Sequence, residues 1–359
     1  MRGFAVLSLK DILAARRALN NLVKRTPLEY SFLLSQRTGC QLYLKLENQQ
    51  VTGSFKPRGA INKIASLSAE EKARGLVTAS AGNHALGVAH AARALGGVSN
   101  TIFLPHNAPQ SKVEKLRQFD SELHFAGNTY EEAHYAAEEF AQAQGATYVH
   151  AYDDPVVIAG QGTVGLEIME DLPEVEAIVV PIGGGGLSAG IAVAAKTINS
   201  EVKVIGVQPE ASPAAYLSFK EGRCYESYEA GPTIADGLAG GYGIVPFTIA
   251  RGLIDEIVVV SEEAIWEAVY VLLELNQLVV EGSGAAAVAP LLAGPASGGL
   301  AQQSLGSLRG IPSVSLSPQA HGYETELDLK GKKVVAVLSG GNIDAELLFR
   351  IMKAQNREV

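Results

Sequence analysis

Ala177-Ile178-Val179-Val180-Pro181-Ile182 is an unbroken apolar run, followed at once by Gly183-Gly184-Gly185-Gly186-Leu187 and then by small and aliphatic residues. A short apolar run closed by glycines and followed by a helical pattern predicts a strand buried on both faces, a tight turn and a helix. That unit belongs to α/β folds. Its glycines expose backbone amides at a helix N-terminus, a place suited to a phosphate group. Gly184, Gly186 and Ala189 also satisfy the degenerate dinucleotide fingerprint, but the next strand-like run, Lys203 to Gln208, ends on Gln208 where a ribose-binding acid belongs. Taken alone, the loop leaves a nucleotide and a simple phosphate equally open.

On either side of this unit the chain alternates strand and helix patterns. Leu42, Leu44 and Leu46 give a period of two, followed by a loop from Glu47 to Gly59 and a helix from Ala60. Further strand-like runs stand at Gly75 to Ser80, Asn100 to Pro105, Glu122 to Phe125, Thr147 to Tyr152, Glu256 to Ser261 and Lys332 to Ser339, with helical patterns such as Tyr130 to Gln144 and Glu262 to Gln277 between them. The alternation predicts parallel sheets flanked by helices, with ligands beyond the carboxyl ends of strands. Residues 8–24 read as an amphipathic helix with Ser8 and Asp11 in capping-box spacing. Ala293 to Tyr323, rich in Gly, Ser, Pro and Gln, reads as a long surface insertion.

At 359 residues the chain is long enough for two domains. A hydrophobic share of 47% with 19% charged residues describes a well-packed globular protein. The net charge of −9 repels polyanions, so nucleic acid is not an expected partner. Only two cysteines, Cys40 and Cys224, rule out a disulfide framework or a four-thiolate zinc site and favour a reducing cytoplasm. The two uncharged stretches, Ala177 to Ala195 and Gly282 to Leu308, are interrupted by Pro181, Pro290, Pro295 and repeated glycines, so neither predicts a membrane span. The apolar run Phe4 to Leu9 is too short for a signal peptide.

Three more loops at expected strand ends concentrate Gly, Ser and Asn: Thr52-Gly53-Ser54-Phe55-Lys56-Pro57-Arg58-Gly59, Ser80-Ala81-Gly82-Asn83-His84 and Ser339-Gly340-Gly341-Asn342. A lysine in a small-residue loop behind an aromatic can be a Schiff-base lysine or a surface charge, and the surface is the commoner place. Together with the tetraglycine loop and Asp236-Gly237, in this order and at these separations, the motifs decide otherwise. From roughly Leu9 to Ile351 the chain resembles the fold-type II pyridoxal-phosphate enzymes, which are tryptophan synthase β-like, and within them the threonine/serine dehydratase and serine racemase branch.

The resemblance implies two α/β domains, each with a mostly parallel sheet flanked by helices. Residues 75–144 would form the small one, and 1–74 with 145–359 the large cofactor domain. It implies pyridoxal 5′-phosphate held by Lys56, which then takes the substrate's α-proton. Phe55 would pack on the cofactor, and Gly183, Gly184, Gly185, Gly186 and Leu187 would hold its phosphate. Asn83 would meet the ring hydroxyl and Ser339 the ring nitrogen, with Gly237 and Glu281 completing the cofactor shell. Ser80, Ala81, Gly82, Asn83 and His84 would receive the substrate carboxylate at a positive helix end. A serine rather than an aspartate at the ring nitrogen implies a weaker electron sink, which favours β-elimination over transamination.

Within the branch, serine racemases carry a hydroxyl where this chain has the methyl of Ala81, so the resemblance points to dehydration of L-threonine, and of L-serine. The alternatives are serine racemisation, dehydration of hydroxyaspartate or an aryl-serine, a catalytically silent cofactor-binding homologue, and a nucleotide-binding protein. Leu86, Pro57 and Leu238 to Gly241 depart from the dehydratase pattern, which puts the pocket edge in doubt. Where relatives bind a divalent cation, Gln208-Pro209-Glu210-Ala211-Ser212-Pro213-Ala214 keeps a single carboxylate, so no metal is expected. Only a short stretch follows Asn342, so no C-terminal regulatory domain of the ACT type is expected. The implied assembly is a homodimer or homotetramer with a small amino acid as its partner.

Overall fold

The computed structural model describes residues 7–292 and 327–355. Its ten strands are β1 (Leu28–Tyr30), β2 (Gln41–Lys45), β3 (Leu76–Ala79), β4 (Asn100–Leu104), β5 (Glu122–Phe125), β6 (Thr147–Tyr148), β7 (Ala177–Pro181), β8 (Lys203–Pro209), β9 (Glu256–Val260) and β10 (Lys333–Val337). They form a six-stranded sheet in the order β1-β2-β10-β7-β8-β9 and a four-stranded sheet in the order β5-β4-β3-β6. Every pairing is parallel except that of the edge strand β1 with β2.

The apolar run that opened the reading is β7, and its alternate residues serve opposite faces of the large sheet. Ile178 and Val180 join a core under the helices Leu9–Ala18, Pro155–Asp171 and Gly186–Ile198, whereas Ala177 and Val179 join a second core under the helix Glu262–Asn276. Burial on both faces is why this strand is continuously apolar. In the small sheet, the helix Tyr130–Gln144 begins where Thr129 Oγ accepts the Glu132 amide, at 3.2 Å, and ends at Gly145, whose φ of 63° suits a residue without a Cβ.

Two expectations change. The helix expected from Ala60 begins at Lys56, because Pro57 is tolerated in a helix's first turn and Gly59 sits in the helix at a close contact, not in a loop. The strand expected over Thr147 to Tyr152 stops at Tyr148, and β6 belongs to the small sheet, so the strands of that sheet extend past residue 144. The insertion at 293–323 lies outside the described residues.

β10 enters the large sheet between β2 and β7, so the loops that leave β2, β7 and β10 meet at one end of it. The loop after β3 in the small sheet faces them across a cleft. Ligands gather at such a switch of strand order.

Candidate active site

All fifteen residues singled out from the sequence line this one cleft of about 1090 Å³, from Phe55 and Lys56, through Ser80 to His84 and Gly183 to Leu187, to Gly237, Glu281 and Ser339. Lys56 leaves the first turn of the helix Lys56–Ala65. Its Nζ donates to the Ala151 carbonyl at 3.1 Å and lies 5.1 Å from the centre of the Phe55 ring. Desolvation in the cleft lowers the ammonium's pKa to about 8, against an opposing pull from Glu281. A useful share of this amine is therefore free base near neutral pH. The rate at which the apoprotein captures the aldehyde of pyridoxal phosphate should rise about tenfold per pH unit below about pH 8 and level off above it, read by absorbance.

Asn83 opens the helix Asn83–Ala94. Its Nδ2 donates to Glu281 Oε1 at 2.6 Å, and its Oδ1 accepts from Asn342 Nδ2 at 2.8 Å, which orients the amide and leaves the second Nδ2 hydrogen for a ligand. Burial, then the nearby Asp236, pushes the Glu281 carboxyl up to about 7, while the Asn83 hydrogen bond opposes them. His84 is turned away from proton transfer. Its Nε2 donates to the Val149 carbonyl at 2.9 Å, and burial, with Lys56 next, lowers the imidazole to about 3, so the ring stays neutral.

Gly185, at φ 93°, caps the helix Gly186–Ile198 without a side chain. Its carbonyl accepts from Ser188 Oγ and the Ala189 amide, each at 3.0 Å, and the Gly184 carbonyl accepts from the Gly243 amide at 3.1 Å. The amides of the helix's first turn have no intrahelical acceptor. A Cβ on Gly184 would stand 2.3 Å from the Tyr152 ring, and one on Gly185 2.1 Å from the Tyr242 ring. Gly185→Ala, strained by both its φ and this clash, should weaken cofactor binding by roughly 100-fold, measured by titrating the apoprotein.

The Ser339 hydroxyl, at the end of β10, points to the Ser283 carbonyl at 3.4 Å. Ser283 Oγ accepts the Gly237 amide at 2.9 Å. Sequence reasoning left Ser283, Asn342 and Tyr152 out of the site. Asn342 closes the motif Ser339-Gly340-Gly341-Asn342, Tyr152 lies in a stretch whose pattern is that of a strand, and Ser283 carries no local signal. Across the mouth, Lys112 of the helix Gln110–Leu116 pairs with Asp236 at 2.5 Å.

A partly desolvated amine, a side-chain-free cradle at a helix N-terminus and an oriented amide between them fit a molecule with an aldehyde at one end and a phosphate at the other. Among the described residues no cluster of three or more His, Cys, Asp or Glu side chains offers a metal site, and no helix is long and apolar enough to cross a membrane. A family model described as "Pyridoxal-phosphate dependent enzyme" matches residues 19–304. The chain belongs to that family and is a pyridoxal-phosphate-dependent enzyme. It is 47% identical over 348 residues to an L-threonine ammonia-lyase of Thermotoga maritima, covering 97% of this chain and 78% of the relative. It is 38% identical over 346 residues to a catabolic L-threonine dehydratase of Escherichia coli, covering 96% of each. Among solved structures, the processed form of threonine deaminase isoform 2 from Solanum lycopersicum superposes with a TM-score of 0.83 at 33% identity, over 97% of this chain and 92% of that one.

Proposed function

We propose that this chain deaminates L-threonine, and L-serine with it, converting threonine into 2-oxobutanoate and ammonia. The observation that carries the reading is the convergence of Lys56, the glycine cradle, the Ser80–His84 loop and Ser339 on one cleft, alongside relatives of that activity. Bound there, pyridoxal phosphate supplies an aldehyde that captures amines and a conjugated ring that accepts the electron pair left at Cα. Lys56 Nζ, with its lowered basicity, takes the α-proton. The amides at Gly183 to Leu187 hold the phosphate, while Asn83 and Ser339 orient the ring. The N-terminus of the helix Asn83–Ala94, with the Ser80 to Gly82 loop before it, receives the substrate carboxylate.

The Ala81 methyl offers no proton to the opposite face of Cα, which supports elimination over racemisation. Loss of the β-hydroxyl with the α-proton removes water, and hydrolysis of the resulting imine returns that water and releases ammonia. Atoms therefore balance as threonine against 2-oxobutanoate plus ammonia.

A homo-oligomer is part of the reading, supported by large apolar side chains left to solvent, Phe32 at 60% and Phe349 at 64% exposure. A cytoplasmic setting is supported by the unpaired thiols of Cys40 and Cys224. The test is to supply the cofactor-loaded protein with L-threonine and measure 2-oxobutanoate and ammonia. Equal amounts of both are expected, whereas rapid formation of the D-amino acid with little keto acid would overturn the reading.

A further inference from the structure

The helix Pro155–Asp171 lies between the two helices that carry the ends of the site. On one side it meets the Lys56 helix almost backbone to backbone, since a Cβ on Gly160 would stand 2.4 Å from the Arg58 carbonyl oxygen, and one on Gly59 2.9 Å from the Val157 carbonyl oxygen. On the other it meets the helix behind the glycine cradle, where a Cβ on Gly190 would stand 2.6 Å from the Gly162 amide nitrogen and from the Ile158 carbonyl oxygen. Neither contact has room for one added methyl group. The side chains lock the same geometry. Arg58 Nη1 donates to Glu167 Oε1 at 2.7 Å, Asn62 Nδ2 donates to the Val156 carbonyl at 2.7 Å, and Lys63 pairs with the helix cap Asp154 at 2.6 Å.

We infer that the helix Pro155–Asp171 is the gauge of this site, and that Gly160, Gly190 and Arg58 are positioning residues which set the separation between Lys56 Nζ and the amides of the glycine cradle. A ligand that engages both ends feels that separation, and a ligand that engages the cradle alone does not. Pyridoxal phosphate engages both, because Lys56 Nζ condenses with its aldehyde carbon to form a C=N bond and release one water. The inference rests on the proposed role of Lys56.

The experiment titrates the apoprotein with two probes. One is pyridoxal 5′-phosphate and the other is pyridoxine 5′-phosphate, which keeps the ring and phosphate but carries an alcohol in place of the aldehyde. For Gly160→Ala, the Kd for pyridoxal phosphate should rise roughly 100-fold, while that for pyridoxine phosphate stays within about threefold of the parent. Equal weakening of both probes, or no change in either, would overturn the gauge. Should Gly160→Ala fail to fold, Arg58→Lys keeps the charge between Glu47 and Glu167 but shortens its reach, and the same split is expected. Lys56→Ala serves as the control for the underlying role: if it keeps the parent's preference for pyridoxal phosphate over pyridoxine phosphate, the assignment of Lys56 fails, whatever Gly160 does.

Discussion

Lys56→Ala should lower kcat/KM for L-threonine by at least about 10⁴-fold, because it removes both the covalent anchor and the base at Cα. The same change should not cost stability. In the fold Lys56 Nζ has one hydrogen bond, to the Ala151 carbonyl, and its pKa falls from 10.5 to about 8 because the charged form is poorly solvated. With a folded pKa below the unfolded one, the native state binds fewer protons between about pH 8 and 10.5, so stability rises with pH across that window. The penalty is fully present below about pH 8. Differential scanning fluorimetry of the apoprotein should therefore show Lys56→Ala at or above the parent Tm at pH 7, with the difference shrinking toward pH 10. A variant that is inactive because it unfolds would show the opposite.

Arg58→Met should destabilise the protein by about 3–5 kcal/mol, the range for removing one partner from a buried ion pair. Arg58 is 1% exposed and lies between Glu47, at 0%, and Glu167, at 6%. Its Nε and Nη2 donate to the two Glu47 carboxylate oxygens, both at 2.8 Å, and Lys45 Nζ reaches Glu167 Oε2 at 2.6 Å. The four charges cancel. Without Arg58, Glu47 keeps only the Thr26 hydroxyl, at 2.5 Å, and becomes an uncompensated buried carboxylate. The measurement is the Tm deficit against the parent at pH 7, by differential scanning fluorimetry. Arg16→Met supplies the contrast, since Arg16 pairs with Glu170 on the surface, with the side chains 46% and 41% exposed, and should cost less than about 1 kcal/mol.

Local pattern carried much of this protein. β7 and the cradle were legible because a strand buried on both faces must be apolar throughout, and because glycine is what lets backbone amides face a ligand. The helix Tyr130–Gln144 was legible to the residue, since Thr129, Glu132 and Gly145 are local chemistry. The residue types of the site were legible for the same reason: an amine, an amide, a hydroxyl and bare backbone do the work whatever surrounds them.

The tertiary structure decided what those patterns could not. Pro57 and Gly59 read as loop residues, and only contact with Val157 and Gln161 explains a glycine within a helix at that point. Ser283 entered the site through hydrogen bonds to Gly237 and Ser339, neither of them a neighbour in sequence. Lys56 and Ser339 share a cleft because β10 pairs with β2 on one side and β7 on the other. Strand pairing is a contest among distant segments of similar apolar composition, settled by the packing of the whole sheet and not by any one strand's residues. So the sequence by itself determined which chemical groups this protein carries and on which kind of element. Their separation, their solvation and hence the basicity of Lys56 belong to the fold, because each depends on atoms brought from far along the chain.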